Sequence, residues 1–504
     1  MRVLIDTNIF IYREDDKNVS PDISILMRIL NQTHTDVLLH PASLDDIRRD
    51  KNQKRKEIIL SKVEAYQILE NAPIPDKEDD FFTKIGEPKR INDKIDNLIL
   101  YSVYKNAVGF LITNDVKIHS KALKLNISDR VLYPDEATEF FKKDLPSTDY
   151  IAKPIPLLKG YVSDIDPDDP LFDSLKQDYD FEKWFTKIAQ QGRECFYSKK
   201  SDGTLGAIMI YKFEEEPIPS NPPYPNQKRL KIATLKVSHE GHKIGELLLK
   251  VAFKIAAENN LSEVYLTHFT EKEDKLVFLI SQFGFKHAGI KPDNNNEDVY
   301  IKKLCPGAED YKELTPLKVS EDYYPSFYDG SRVKKFVIPI QPGFHDRLFT
   351  DFYGPKGRQA TIMEMRGEFI VEGNTIKKAY LTNSRIQMLN KGDVILFYRS
   401  GDLKAITSLG VIDDVYYSLS DPEEIREIIG KRSVYSKYEI ESFQKPLTII
   451  LFRHHLNIKK PVELSDLIRL GILKSHPQSI HQIDDKKFIK LKEVGKINEC
   501  FTVH

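Results

Sequence analysis

The chain has 504 residues, 40% hydrophobic and 30% charged, with a formal net charge of −1. That length suits about two to four soluble domains with cores of their own. No apolar run approaches the roughly 18 residues of a bilayer span, and Asp6 breaks the N-terminal run too early for a signal peptide, so the expectation is a cytoplasmic protein without a membrane partner.

Cys195, Cys305 and Cys500 stand far apart with no CxxC spacing, which supports neither a disulfide framework nor a cysteine zinc site. Charge is unevenly spread. Lys plus Arg against Asp plus Glu is 23 to 26 over Met1 to Tyr150, 24 to 29 over Ile151 to Gly330, and 28 to 21 over Ser331 to His504. The +7 surplus of the last third fits a polyanionic partner or simply a solvated surface.

In chain order, Arg2 to Ile5 reads as a short buried strand that runs straight into Asp6, Thr7 and Asn8. Carboxyl ends of parallel strands are where ligands bind, although Asp6 and Asn8 could equally cap the next helix. Thr35 to His40 gives a second strand, then Pro41, and Ser43 can cap a helix carrying Asp45 and Asp46. Ile91 to Tyr104 reads as a helix with Asp93 and Asp96 in its first turn, and the strand Phe110 to Thr113 ends at Asn114 and Asp115. This βα alternation implies a parallel sheet, with Asp6 and Asp115 at strand ends and Asp46 and Asp96 facing them from helices. Four converging carboxylates need a divalent cation such as Mg²⁺ or Mn²⁺, and water activated by such a metal attacks phosphodiesters.

The segments VLIDTN, ASLDDI, DNLIL and LITND, in this order, resemble the PIN nuclease family over about residues 1 to 145. The resemblance implies a metal-dependent ribonuclease of toxin-like or regulatory type, with an inhibitory protein partner. Asp6, Asp46, Asp96 and Asp115 would be its catalytic and metal-binding acids. Asp45 rivals Asp46 as the second acid, and Asp93 is either an auxiliary metal ligand or an ordinary N-terminal helix acid. Arg48, Arg49, Lys54 and Arg55 could steer an RNA backbone, or form a solvated helix face.

Leu145 to Asp149 breaks the pattern, which ends a first domain at about residue 147. The second domain, 155 to 304, turns on a strand, Leu230 to Val237, followed by a helix whose start is bordered by Gly241 and Gly245. Pro217 to Pro225 reads as a loop between two strands. Amides at a glycine-bordered helix start suit phosphate oxygens. This turn, with Leu276 to Gly289 further on, resembles the mixed-sheet GNAT acetyltransferases. That likeness implies acetyl-CoA as cofactor, held by Val237, Gly241, His242, Lys243, Ile244 and Gly245. Glu240 and Lys243 depart from the family's pattern, and Ile280 stands where a general-acid tyrosine is common. The alternative function is therefore an acetyltransferase acting on RNA or protein, with the first domain as a nucleic-acid-binding module.

A second linker, from Cys305 to Gly330, leads to a β-rich third domain, 331 to 504. Strands are expected at Phe336 to Pro342, Ala379 to Leu389, Val394 to Tyr398, Leu409 to Val415 and Leu447 to Phe452, with a helix over Glu463 to Leu470. KGDVILFY and GVIDDV resemble the PUA-like superfamily, particularly its ASCH and EVE branches, which implies RNA binding. Stacking on Phe344, Tyr380 or Tyr398, with help from Arg399 and Arg385, would suit single-stranded RNA, and core packing explains each aromatic equally well. The whole reads as a multidomain α/β and α+β protein.

Overall fold

The computed structural model describes residues 1–14, 21–49, 56, 60, 63, 66–76, 80–145, 156–178, 180–200, 202–238, 242–272, 274–292, 296–307, 314–352, 369–370 and 376–504. It divides into two units, Met1–Ala152 with Leu419–Gln444, and Lys153–Ser418 with Lys445–His504. One division falls near the first expected linker. None falls at the second, and a stretch expected in the third domain goes with the first unit.

The first unit is built on five strands, β1 (Arg2–Ile5), β2 (Asp36–Leu39), β3 (Gln67–Ile68), β4 (Phe110–Ile112) and β5 (Val131–Leu132), in the order β3-β2-β1-β4-β5. All four pairings are parallel. Because side chains alternate across a strand, Val3, Ile5, Phe110 and Ile112 enter one core while Leu4, Leu38 and Leu111 enter another. Both faces are covered, which is why these strands read as unbroken apolar runs. Chain connections place the carboxyl ends of β1, β2 and β4 side by side, and each runs within a few residues into a helix: Thr7–Glu14, Pro41–Arg48 and Val116–Lys124.

The segment Leu419–Gln444 completes this unit. Its helix Pro422–Ile429 buries Ile425 and Ile429, and its Arg426 pairs with Asp144 where both side chains are nearly inaccessible. Lys431 meets Glu136 at 3.0 Å and Arg432 meets Asp129 at 2.9 Å. At Gly430 the backbone is left-handed (φ 44°), and an added Cβ would lie 2.2 Å from the Asp129 carbonyl oxygen, so glycine is required there.

The second unit holds two larger sheets. β6 (Pro156–Tyr161), β7 (Glu194–Lys199), β8 (Leu205–Ile218), β9 (Tyr224–Val237), β10 (Glu263–His268), β11 (Lys286–Ile290) and β12 (Asp298–Lys303) form one mixed sheet with a later strand, Phe369–Ile370, at its edge. The long helix His242–Glu258 covers it, burying Leu247, Leu248, Val251, Ala252 and Phe253 at helical spacing. The loop between β8 and β9 is 219–223, inside the stretch expected as a loop.

The other sheet has six strands: Lys335–Ile340, Lys377–Thr382, Val394–Arg399, Ala405–Leu419, Leu447–Glu463 and His481–Ile483. The fourth and fifth run well beyond the apolar cores that announced them. Lys250 pairs with Asp351 at 3.0 Å, Glu246 accepts the Ile376 amide at 2.9 Å, and the Tyr324 hydroxyl donates to the His454 carbonyl at 3.1 Å. These contacts tie the two sheets into one unit. Among the described residues, no helix is long and apolar enough to cross a membrane.

Candidate active site

Asp6 follows β1 directly, and its amide donates to the Ile112 carbonyl at 3.0 Å, continuing the ladder onto β4. The residue is only 3% exposed. Thr113, fully buried, donates its hydroxyl to Asp6 Oδ2 at 2.7 Å and accepts the Asp115 amide on the same oxygen at 3.0 Å. The Thr113 carbonyl is in turn bonded by His119 Nε2 at 3.0 Å, whose ring stacks on Tyr133 at 3.7 Å. One threonine thus sets the spacing between the two acids, and a histidine holds the threonine.

Asp115 caps the helix Val116–Lys124, accepting the Lys117 and Ile118 amides at 2.6 and 3.2 Å. Both bonds use Oδ1, which leaves Oδ2 for another ligand. The capping role and the site role are therefore compatible in one side chain. Asp96, from the helix Ile91–Tyr104, feels the charges of Asp115, Asp6 and Asp93, while Asp6 feels Asp115 and Asp46. Burial comes first among the causes that push Asp6 up to about 6 and Asp96 up to about 7, and the neighbouring carboxylates add to it.

Asp46 is half-buried and faces this cluster, whereas Asp45 is open to solvent and pairs with Arg48 at 3.4 Å. Arg49 binds Asp46 at 3.0 Å, so one of the expected RNA-steering residues sits on an expected metal acid. Arg48 is exposed; Lys54 and Arg55 lie outside the described residues.

Two residues escaped the sequence reading, and Ser43, expected as a helix cap, lies inside the helix Pro41–Arg48, which His40 caps instead. Lys121 reaches back from the helix Val116–Lys124 to Asn97 Oδ1 at 2.6 Å, beside Asp96, Asp93 and Asp115, and burial lowers its pKa against those charges. His40, at the end of β2, accepts the Ala42 amide on Nδ1 at 3.0 Å, so its proton lies on Nε2, which is buried and has no partner among the described residues. Burial pushes this histidine down to about 4 and keeps it neutral. The Ser43 hydroxyl, fully buried on the next turn, also has no partner among the described residues. No periodicity marks these positions, because only the sheet order brings β2 beside β1.

The donors are all hard oxygens, which suits Mg²⁺ or Mn²⁺. Among the described residues no group of three or more His, Cys, Asp or Glu side chains closes on one point as ligands of a single ion. Mg²⁺ ordinarily takes one or two carboxylates directly and keeps several waters, so the coupled acids fit a hydrated ion.

In the second unit, β9 and β10 run parallel and pair only over Leu230 to Ile232 with Val264 to Leu266, after which β9 continues to Val237 unpaired with β10. The helix His242–Glu258 starts beside this opening. Gly241 lies outside the described residues, and the side chains of His242 and Lys243 are likewise not described. Val237 is half-buried and Ile244 buried. Gly245 has a packing reason: an added Cβ would stand 2.7 Å from Leu279 Cδ2. Ile280 is fully buried.

The expected RNA contacts of the C-terminal sheet need correction. Tyr398 is 0% exposed in the core, and Arg399 is held by Asp346, Asp402 and His345, so neither offers a surface for stacking bases. Core packing is the role the fold gives Tyr398, because both faces of this strand are covered. Tyr380 is also buried, donating to the Pro339 carbonyl at 2.9 Å, whereas Arg385 is exposed.

No family model and no curated protein matches the chain. Among solved structures, ASCH from Zymomonas mobilis aligns at 16% identity and TM-score 0.25, covering 32% of this chain and 95% of its own. The NatC complex bound to Gag peptide and CoA aligns at 17% and 0.21, covering 29% and 98%. Aminoglycoside 6'-acetyltransferase type Ii aligns at 15% and 0.22, covering 30% and 99%. Likenesses at these scores carry neither activity nor ligand over to this chain.

Proposed function

We propose that the chain is a divalent-metal-dependent ribonuclease acting through the carboxylates of its first unit. The supporting observation is Asp6: an acid 3% exposed at a strand's carboxyl end, bonded by one hydroxyl and surrounded by Asp46, Asp96 and Asp115. A core has no use for such an arrangement, since each added carboxylate raises the cost of ionising the others. A cation removes that cost. Bound there, it would neutralise the acids and make water a better nucleophile towards a phosphodiester.

Asp6, Asp46, Asp96 and Asp115 would share a hydrated ion, at most two of them as direct ligands. Thr113 keeps Asp6 and Asp115 in register, Lys121 is placed to meet a phosphate oxygen, and the Nε2–H of His40 is a donor at the same end of the sheet. The test is cleavage of a mixed RNA pool with Mn²⁺, its loss with EDTA, and its loss in Asp6→Asn.

A second reading rests on the opening between β9 and β10 at the start of the helix His242–Glu258, which would suit an acyl-CoA thioester. Against it stand Ile280, sealed in the core, and Gly245, already explained by packing. Calorimetry with acetyl-CoA decides it: tight binding with acetyl transfer to RNA or protein would move this reading ahead of the first.

A further inference from the structure

The second unit contains a cavity of about 320 Å³ that the carboxylate site does not use. Its size is that of a small-molecule site at the lower end of the range. One wall is the helix His242–Glu258 from Leu247 onwards, past the helix start on which the acetyl-CoA reading rests. A second wall is the stretch His454 to Lys459 of the strand Leu447–Glu463. Tyr324 and Phe501 add aromatic surface.

Both walls start from one point. The Ile376 amide donates to Glu246 Oε1 at 2.9 Å, and the Ile376 carbonyl accepts the His454 amide at 2.8 Å. Leu247, Val251, His454 and Ile458 are buried, whereas Lys254, Glu258 and Lys459 are exposed. Burial therefore falls in the same direction along helix and strand, from an inner end near Ile376 to an outer end in solvent. Leu247 to Glu258 is about 16 Å of helix. The cavity is long for its volume, which is the shape of an extended chain rather than of a fused ring system.

Charge follows the same gradient. Lys250 pairs with Asp351 at 3.0 Å, and burial keeps His454 and His455 neutral, so the inner part has no net charge to offer a ligand. Lys254, Lys459 and Lys496 are exposed and make no ion pair among the described residues. Glu258 is the acid that lines the cavity beside them, which leaves a surplus of two positive charges at the solvent end. Apolar surface favours a hydrocarbon inside, and the lysines favour an anion at the mouth.

From a slot buried and apolar at one end and edged by unpaired lysines at the other, we infer a binding site for a straight-chain amphiphile with an anionic head, of the fatty carboxylate class. Its chain lies against Leu247, Val251, Tyr324 and Ile458, and its carboxylate among Lys254, Lys459 and Lys496. Occupancy is independent of the carboxylate cluster, so this site stands or falls apart from RNA cleavage.

The test is calorimetry on the full chain with decanoate, with hexanoate as the shorter anion, decanol as the uncharged chain and decyltrimethylammonium as the cationic one. Each methylene moved from water into the slot should tighten binding about fourfold, so decanoate should bind at least about tenfold more tightly than hexanoate. It should exceed decyltrimethylammonium by a similar factor. The exposed double variant Lys254→Glu with Lys459→Glu should weaken decanoate about tenfold and leave decanol unchanged. Ala257 is half-buried and also lines the cavity. Ala257→Phe should therefore weaken decanoate and decanol alike, and the lysine variant decides the matter if that one fails to fold. No binding of decanoate, equal affinity for hexanoate or for decyltrimethylammonium, or a decanoate affinity unchanged in the lysine variant or in folded Ala257→Phe would each overturn the inference.

Discussion

Replacing Asp6 by asparagine should stabilise the first unit at pH 8 and leave it unchanged near pH 4. In the folded chain Asp6 titrates at about 6, against 3.8 for the ordinary side chain, chiefly because it is buried. That difference converts to about 3 kcal/mol. The folded state holds the proton more tightly than the unfolded one between those values, so stability is lost as pH rises from about 4 through about 6, and the full penalty stands above it. The asparagine side chain carries no charge and keeps an oxygen for the Thr113 hydroxyl. The gain of the variant at pH 8 should approach about 3 kcal/mol, roughly a hundredfold in amide protection. Hydrogen exchange of peptides covering β1 and β4, in the intact chain at several pH values, reads this locally. Mg²⁺ should protect the same peptides in the wild type at pH 8 and do much less in the variant. A difference between variant and wild type that stays constant from pH 4 to pH 8 would show that the Asp6 charge is not strained, and the reasoning would fail.

Gly430→Ala should cost about 1–3 kcal/mol from backbone strain alone and release the segment Leu419–Gln444, seen as faster exchange over residues 419–444; unchanged exchange would contradict the close approach to Asp129. Arg426→Met strands Asp144 in a site where its side chain is only 7% exposed and should cost about 3–5 kcal/mol at neutral pH, measured by denaturant unfolding of the first unit. A chain ended at residue 330 should show at least that loss, so such a truncation tests the integrity of the first unit before it tests RNA affinity. Gly245→Ala should lower the melting temperature of the second unit by an amount worth about 1 kcal/mol, since the clash is with the movable end of Leu279, and leave acetyl-CoA titrations unchanged.

Where a side chain's position follows from its place along a strand, the sequence was a good guide. The strand-end positions of Asp6 and Asp115 were legible because the apolar runs Val3 to Ile5 and Phe110 to Ile112 mark where those strands stop. Lys121 was not, because its nearness to the acids depends on strand order and helix rotation, which no local pattern encodes; the burial that keeps His40 neutral is equally invisible along the chain. Pro422–Ile429 shows the same limit at larger scale: its amphipathic spacing announces a helix with one apolar face, and says nothing of its being buried against residues nearly 300 positions earlier. Tyr398 and Arg399 stayed open between RNA contact and core for a related reason. An aromatic followed by a cation reads as a nucleic-acid contact, yet Arg399 spends its donors on Asp346 and Asp402, and those pairings are invisible without the fold.

The most direct measurement is RNA cleavage by the intact chain and by Asp6→Asn and Asp115→Asn, each with Mn²⁺ and with EDTA. The account predicts metal-dependent cleavage by the wild type, abolished in both variants although their folds persist. Cleavage that survives either substitution, or that proceeds equally in EDTA, would contradict it.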